Sequence, residues 1–326
     1  MKEAVFVAGG AGYIGAHTCK ALHAAGYLPV TLDSLVTGYE AAVQWGPLVK
    51  ADLRDKTAIL AAIKQYDIKA AIHFAAFSLV GESTKDPAKY YDNNVGAATA
   101  FVSSLVEGGV EAVVFSSTAA VYGVPSVSPI PEDHVLAPIN PYGASKLAFE
   151  QALHWMSTAH PLRYTILRYF NAAGASPDGE IGESHVPETH LIPLICQAAL
   201  GKGKPLTVFG TDYDTQDGTA IRDYIHVTDL ANAHVASIRR LLDGGDSRIF
   251  NVGTGEGVTV LAMLKAAEEV LGRPVPHSFG PRRAGDPVSL VADVSRIKAG
   301  LDWTPQHSDL TNLIRTAAIW QANPLY

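Results

Sequence analysis

Four short runs in the first half of the chain are apolar almost without alternation: Ala4-Val5-Phe6-Val7-Ala8, Pro29-Val30-Thr31-Leu32, Ala70-Ala71-Ile72-His73-Phe74 and Ala112-Val113-Val114-Phe115. Tyr164-Thr165-Ile166-Leu167-Arg168 continues the series. Strands read this way when helices cover both faces of a parallel sheet, because neither face is left for polar residues. Helical segments fit between the runs at 13–25, 55–66, 88–107 and 141–159. Strand-helix repetition of this kind predicts a doubly wound α/β sheet. After residue 171 the texture changes. A Gly-, Pro-, Ser- and acid-rich loop is expected over 171–188, a helix at 190–200, a strand at Leu206-Thr207-Val208-Phe209 and a second loop at 210–219. A helix over 229–242, capped by Thr228 or Asp229, and further helices near 259–271 and 309–320 complete the reading.

The run Gly9-Gly10-Ala11-Gly12-Tyr13-Ile14-Gly15 joins the first apolar strand to the first helix. Without a Cβ, such a turn can take positive φ and bring its N–H groups up to a pyrophosphate at the helix N-terminus. The strand-turn-helix setting of Gly9, Gly12 and Gly15 makes an otherwise weak spacing specific for a dinucleotide. Asp33 ends the second strand, 18 residues beyond Gly15, where a carboxylate can accept from adenosine ribose hydroxyls. It would repel a 2′-phosphate, and no arginine lies nearby to receive one, so NAD is expected rather than NADP. Asp52 either contacts the adenine or caps the helix after Leu53-Arg54. The expected organisation is an NAD-binding Rossmann domain over 1–171 plus about 220–252, and a smaller C-terminal α/β substrate domain over about 172–219 plus 253–326, with a cleft between them.

Tyr142 and Lys146 follow Pro141 at helical i,i+4 spacing, so both project from one helix face and the lysine can reach the phenol or a cofactor beside it. A phenol ionises near ~10, so a tyrosine base working close to neutrality needs about 4 kcal/mol of preference for phenolate. An ammonium at ~5 Å and an effective dielectric of ~20 supplies about 3 kcal/mol. An oxidised nicotinamide is expected to supply the rest. Thr118, after the apolar strand 112–117, offers a hydroxyl to share the substrate proton.

The 326 residues are 48% hydrophobic and 17% charged, with net charge -7. That acidity argues against a nucleic-acid footprint, while local basic residues can still clamp phosphates. Cys19 and Cys196 lie far apart without metal-ligand spacing; they are expected to be buried thiols, and no metal site is assigned. No stretch approaches the ~20 apolar residues of a membrane span, and the opening Met1-Lys2-Glu3 leaves no room for a signal-peptide core. A cytoplasmic setting without membrane contact is expected.

His73-Phe74-Ala75-Ala76, Tyr91-Asp92-Asn93-Asn94-Val95, Leu167-Arg168-Tyr169-Phe170-Asn171, His190-Leu191-Ile192-Pro193 and Arg222-Asp223-Tyr224-Ile225-His226-Val227 resemble the extended short-chain dehydrogenase/reductase superfamily and, within it, the UDP-glucose 4-epimerases. The resemblance runs over essentially the whole chain. It implies that Tyr142 removes the 4-hydroxyl proton of a UDP-sugar while hydride passes from C4 to NAD, and that the 4-keto sugar rotates and takes the hydride back on its other face. Thr118 would bridge Tyr142 and the sugar oxygen, and Lys146 would hydrogen-bond the nicotinamide ribose. Tyr13, Ile14, Leu53, Phe74, Ala75, Ala76, Asn93 and Phe170 would join the cofactor site. Asn171, Arg222 and Arg283 would hold the diphosphate, Asp286 the uridine ribose and Phe209 the uracil. His190, Leu191, Thr207 and Tyr224 would complete the substrate pocket, and Leu290 would wall the sugar. Ser78 stands where some relatives carry Lys, a departure at one cofactor phosphate contact. The resemblance also implies a homodimer through a four-helix bundle of the helices near 88–107 and 141–159, which carry apolar residues beyond what one sheet face needs.

Alternative chemistries separate on particular residues. Nucleotide-sugar dehydratases need an acid-base pair directly after the threonine, and here Ala119-Ala120 can neither give nor take a proton. A UDP-glucuronate 4-epimerase or decarboxylase could differ by a single pocket cation. An external dehydrogenase would release reduced cofactor, and a non-catalytic dinucleotide sensor would lack the Tyr142-Lys146-Thr118 set. Leu290 is expected to leave intermediate room, so that N-acetylated UDP-hexosamines turn over slowly.

Overall fold

The computed structural model describes residues 2–283 and 285–326; Met1, which opens the segment read against a signal peptide, lies outside them. Strands β1 Ala4–Ala8, β2 Leu28–Asp33, β3 Leu48–Lys50, β4 Ile68–His73, β5 Ala112–Thr118 and β6 Arg163–Tyr169 appear in succession. After β7 Asn171–Ala173, β8 Leu206–Phe209, β9 Ile221–Arg222 and β10 Tyr224–His226, the chain returns to the main sheet as β11 Arg248–Val252. The sheet runs β11-β6-β5-β4-β1-β2-β3, all parallel. Its order reverses between β1 and β4, which leaves a crevice at their carboxyl ends where ligands of doubly wound sheets bind.

The unalternating sequence has its expected cause. Val5 and Val7 of β1 enter one core cluster with Cys19, Leu22, Leu230 and Ile238. Phe6 and Ala8 enter another with Ile59, Phe101 and Phe149. Helices α1 Tyr13–Ala24 and α8 Val227–Leu242 supply the first layer; α2 Lys56–Tyr66, α5 Ala98–Glu107 and α6 Pro141–Ala159 supply the second. Truncating a fully buried β4 residue such as Ile72 would cost about 2–5 kcal/mol, because neither layer can close on the void.

Two expected elements differ. The single helix over 88–107 is interrupted: α3 Val80–Lys85 and α4 Pro87–Tyr91 lead into a π-helical stretch, Asp92–Ala97, and then α5. In that stretch Arg54 donates to the Asp92 carbonyl at 2.8 Å, and the Asn94 amide turns inward to donate to Phe77 O at 3.0 Å. Wider turns of this kind recur where a helix must aim a side chain at a site. The cap of α8 is also neither Thr228 nor Asp229. The chain enters the helix directly from β10, so His226 Nδ1 accepts the Thr228 N–H at 3.1 Å. Asp229 instead binds the N–H groups of Gln306 and His307 and the Ser308 hydroxyl.

The remaining elements form smaller sheets and a third core cluster. β7 pairs with β10 in parallel; β9 pairs with β12 Val258–Thr259 and β14 Ser289–Leu290; β8 pairs with β13 His277–Gly280. α7 Leu191–Ala199, α9 Val260–Leu271 and α11 Leu310–Ala322 pack around Leu206 and Val208. α10 Ser295–Leu301 packs back onto the main sheet through Ile297. Among the described residues, no helix is long and apolar enough to cross a membrane.

Candidate active site

The crevice begins at the glycine turn. Gly9 adopts φ +82°, and a β-carbon there would lie 2.6 Å from the Ala75 nitrogen; one on Gly15 would lie 2.1 Å from the Gly9 carbonyl oxygen. Side chains are therefore excluded at both positions, and β1, β4 and α1 meet closely. Gly12 differs: a β-carbon there would meet only the Gly9 oxygen, at 3.4 Å, so the space over the helix end is open. Gly12 is the N-cap of α1, with no side-chain cap and no acid in the first turn. The first-turn N–H groups of Tyr13, Ile14 and Gly15 thus lack intrahelical acceptors, an arrangement that fits a pyrophosphate. Asp33 Oδ2 accepts the Ala11 N–H at 3.0 Å and Oδ1 the Leu35 N–H at 2.9 Å. Burial raises this carboxyl, and the two backbone donors act against the rise.

On the cofactor side, the helix cap expected of Asp52 changes. Asp52 does not cap α2; Asp55 does, accepting the Ala58 N–H at 2.9 Å. Asp52 Oδ1 accepts the Arg54 N–H at 2.9 Å in the preceding turn. Leu53 buries its side chain beside Phe6 and Ile59, so only its backbone remains for a ligand. The Tyr13 hydroxyl donates to Gly174 O at 2.6 Å and ties the turn to the loop after β7. Phe74 and Ala75 both donate backbone N–H groups to Ala8 O, which brings their segment alongside the glycine turn. Ala76 follows them, half-buried, and Ser78 is exposed. Asn93 Nδ2 donates to Asn94 Oδ1 at 3.0 Å, and Phe170 is buried, its N–H bonded to Val252 O at 3.1 Å.

Next to this cradle, α6 starts at the Asn140 cap with Pro141 in its first turn, a pairing that fixes where Tyr142 leaves the helix. Burial pushes the Tyr142 phenol up, and a hydrogen bond with Thr118 favours the phenolate in opposition. Thr118 closes β5 and accepts the Ala120 N–H at 3.1 Å. Lys146 stands one turn further along α6. Its Nζ donates to Ser116 O at 2.9 Å and lies 4.9 Å from the Phe115 ring centre. Burial pulls the ammonium down to about 7, with the Glu150 carboxylate opposing. The physical reason is desolvation: both groups of the pair are enclosed, and enclosure disfavours both charged forms.

Sequence reasoning missed the groups behind this pair. Glu150 extends the 142, 146 spacing by one further turn, a signal that was present in the helix periodicity. Its carboxylate forms a buried fork with Arg168 of β6, Oε2 lying 2.6 Å from Nη2 and Oε1 3.0 Å from Nε. Arg168 also donates to the Tyr122 hydroxyl and to Glu132 O, each at 3.1 Å. Asn94 links the Phe77 backbone to the Ser145 hydroxyl of α6, at 3.1 Å. No local pattern marks Arg168 or Asn94, because their partners come from distant elements.

Across the crevice the second set converges. Arg222 pairs with Asp286, and Leu290 stands opposite Arg222 in the β14–β9 register. The Arg283 guanidinium lies 4.4 Å from the Phe209 ring centre, so half-buried Phe209 is a platform rather than core. Thr207 shares β8 with it, half-buried. Asn171 donates from Nδ2 to Asp223 O at 3.0 Å, and Tyr224, its neighbour across β7–β10, is buried. His190 is the N-cap residue of α7 ahead of half-buried Leu191, and its Nδ1 lies 2.8 and 2.9 Å from Glu183 and Glu188.

A dinucleotide cradle with a Tyr-Lys-Thr set at its lip defines a nicotinamide-dependent enzyme of the short-chain dehydrogenase type. The model of the NAD dependent epimerase/dehydratase family matches residues 5–253, and the chain belongs to that family. It is similar to the UDP-glucose 4-epimerase of Rhizobium meliloti (strain 1021), 50% identical over 318 residues, which are 98% of this chain and 97% of the relative. Among solved structures it is similar to UDP-glucose 4-epimerase from Brucella ovis in complex with NAD (48% identity, 97% of each chain, TM-score 0.95). It is equally similar in fold to the enzyme from Stenotrophomonas maltophila with bound NAD and formylated UDP-arabinopyranose (40% identity, 98% of each chain, TM-score 0.95).

Proposed function

We propose that this chain is an NAD-dependent isomerase that interconverts UDP-glucose and UDP-galactose. The observation that carries the reading is the hydrogen bond between Tyr142, in the first turn of α6, and Thr118, at the carboxyl end of β5, in a chain whose glycine turn leaves the first-turn N–H groups of α1 open. NAD, held by the glycine turn, Asp33 and Lys146, would supply the acceptor and donor of the C4 hydride and a positive charge at the nicotinamide end. Tyr142 Oη takes and returns the proton of the 4-hydroxyl, with the Thr118 hydroxyl bridging phenol and sugar oxygen. Lys146, held by Ser116 O, binds the nicotinamide ribose and loses positive character more readily than a surface lysine. The Glu150 carboxylate, forked with Arg168, favours its charged form.

Gly9, Gly12, Tyr13, Ile14 and Gly15 would take the pyrophosphate and Asp33 the adenosine ribose. On the other side, Asn171, Arg222 and Arg283 would grip the diphosphate, Asp286 the uridine ribose and Phe209 the uracil. A sugar that must turn over cannot be held tightly, so binding energy from the unreactive nucleotide keeps the complex together. Planar guanidinium forks suit phosphate oxygens. Leu290 would set the room around the sugar; UDP-N-acetylglucosamine should turn over slowly, and Leu290→Tyr should suppress it. Two domains divided as the sequence suggests, 1–171 plus about 220–252 and the remainder, would open and close the cleft.

We also propose a homodimer through α5 and α6, supported by Trp155 on α6, which is 68% exposed. A cytoplasmic setting is supported by Cys19 and Cys196, both buried and free. An NMR time course of the purified protein with UDP-galactose and no added cofactor tests the activity. UDP-glucose should accumulate to equilibrium without free NADH. Stoichiometric NADH release would overturn the isomerase reading in favour of an external dehydrogenase.

A further inference from the structure

The segment between β7 and α7 carries Glu183, His185, Glu188 and His190, whose ligand atoms all lie within 4.8 Å of one another. His190 Nδ1 is 2.8 Å from Glu183 Oε1 and 2.9 Å from Glu188 Oε1. His185 Nδ1 is 3.1 Å from Glu183 Oε1 and 3.8 Å from Glu188 Oε2. Donors arranged tetrahedrally about an ion at ~2.0–2.2 Å stand roughly 3.3–3.5 Å apart, which these separations bracket. An independent feature points to a missing cation. Glu188 Oε1 accepts the N–H groups of Thr189 and His190 at 2.7 and 2.8 Å, whereas Oε2 is buried with no hydrogen-bond partner among the described residues, on a side chain 8% exposed.

We propose that Glu183, His185, Glu188 and His190 bind one divalent transition-metal ion of the Zn2+ class as a structural staple. Two carboxylates and two neutral imidazoles carry a charge of −2 that a dication would neutralise, beside a Glu183 that is itself buried. The nitrogen-oxygen donor set favours zinc over magnesium or calcium, which want larger all-oxygen shells. All four positions are protein ligands, so no coordination site is left for chemistry.

The staple has an evident mechanical purpose. Glu183 O accepts from Trp320 Nε1 and Gln321 Nε2 of α11, each at 3.0 Å. The His185 ring packs edge-on against Tyr13 of the glycine turn, with ring centres 6.3 Å apart. His190 opens α7. One ion would thereby join the phosphate cradle, the C-terminal helix and the head of α7. In the sequence the four residues form the pattern E-x-H-x-x-E-x-H, a signal separate from the two cysteines. The competing account is an ion-pair cluster in which a charged His190 lies between the two carboxylates.

Metal analysis of untagged protein, followed by chelator stripping and titration with Co2+ and Zn2+, separates the two. The expected result is one zinc retained per chain, and an intense tetrahedral cobalt absorption saturating at one equivalent. Zn2+ should raise the Tm of the stripped protein. His185→Gln combined with Glu188→Gln should weaken zinc binding roughly a hundredfold or more and remove the Tm rise. Absence of retained zinc together with a featureless cobalt titration overturns the proposal, as does wild-type affinity in the double variant. If that variant does not fold, the cobalt titration of the wild-type chain decides alone.

Discussion

The two ends of the cleft handle charge in opposite ways. At the reacting end, Tyr142 and Lys146 are almost wholly enclosed and burial dominates both proton affinities, raising the phenol and lowering the ammonium to about 7. At the nucleotide end, Arg222 and Asp286 keep 12% and 25% of their side chains exposed and neutralise each other directly. The contrast suits a reaction in which one end must move a proton and the other must hold an anion. A dry environment makes proton affinity responsive to a single added charge, whereas partly hydrated ion pairs can exchange partners cheaply when a diphosphate arrives.

Substitutions should separate the ends. Tyr142→Phe should lower kcat by about 10³, in the range for loss of a positioned base, while UDP binding measured by calorimetry stays unchanged. A variant with ordinary turnover would remove Tyr142 from the reaction. Glu150→Gln should destabilise the protein by about 3 kcal/mol or more in denaturant titration, because Arg168 loses its buried counter-charge. An unaltered midpoint would mean that the Glu150-Arg168 fork carries little of the dry end's integrity. Arg222→Ala should raise KM for the UDP-sugar roughly 10- to 100-fold with kcat nearly constant, the pattern of a group that binds without reacting. A fall in kcat with KM unchanged would blur the division between the ends.

The smallest expected effect is a pH slope. Lys146 has a folded-state value of about 7 against an ordinary 10.5, so between those values the unfolded chain binds more protons than the folded one. Stability of the protein without added nucleotide should therefore rise with pH across that window, by about 1.4 kcal/mol per unit at most from this residue. Lys146→Met should flatten the rise in urea titrations between pH 7 and 9, and an identical slope in the variant would show that enclosure of Lys146 is not its source.

Legibility followed the range of the interaction involved. Asp33 was readable because it ends a strand at a set distance from the glycine turn, and Tyr142 and Lys146 because helical spacing places them on one face. Glu150 was readable in principle by one more turn of the same helix. Arg168 lay inside a quoted motif, yet its role depends on Glu150, Tyr122 and Glu132 meeting it from separate elements. The interruption of the helix over 88–107 also had no local signature, since the inward turn of Asn94 answers to Phe77 and Ser145.

By itself, the sequence determined the doubly wound sheet and the NAD cradle, and it pointed to Tyr142, Lys146 and Thr118 as the groups proposed to move the proton. These rest on apolar periodicity and on short spacings along one element. Only the tertiary structure decided that Lys146 donates to Ser116 O, that Asp286 faces Arg222, and that Glu183, His185, Glu188 and His190 form one knot beside Tyr13. Side-chain direction and desolvation depend on what packs against a residue from elsewhere in the chain, and no local pattern encodes that.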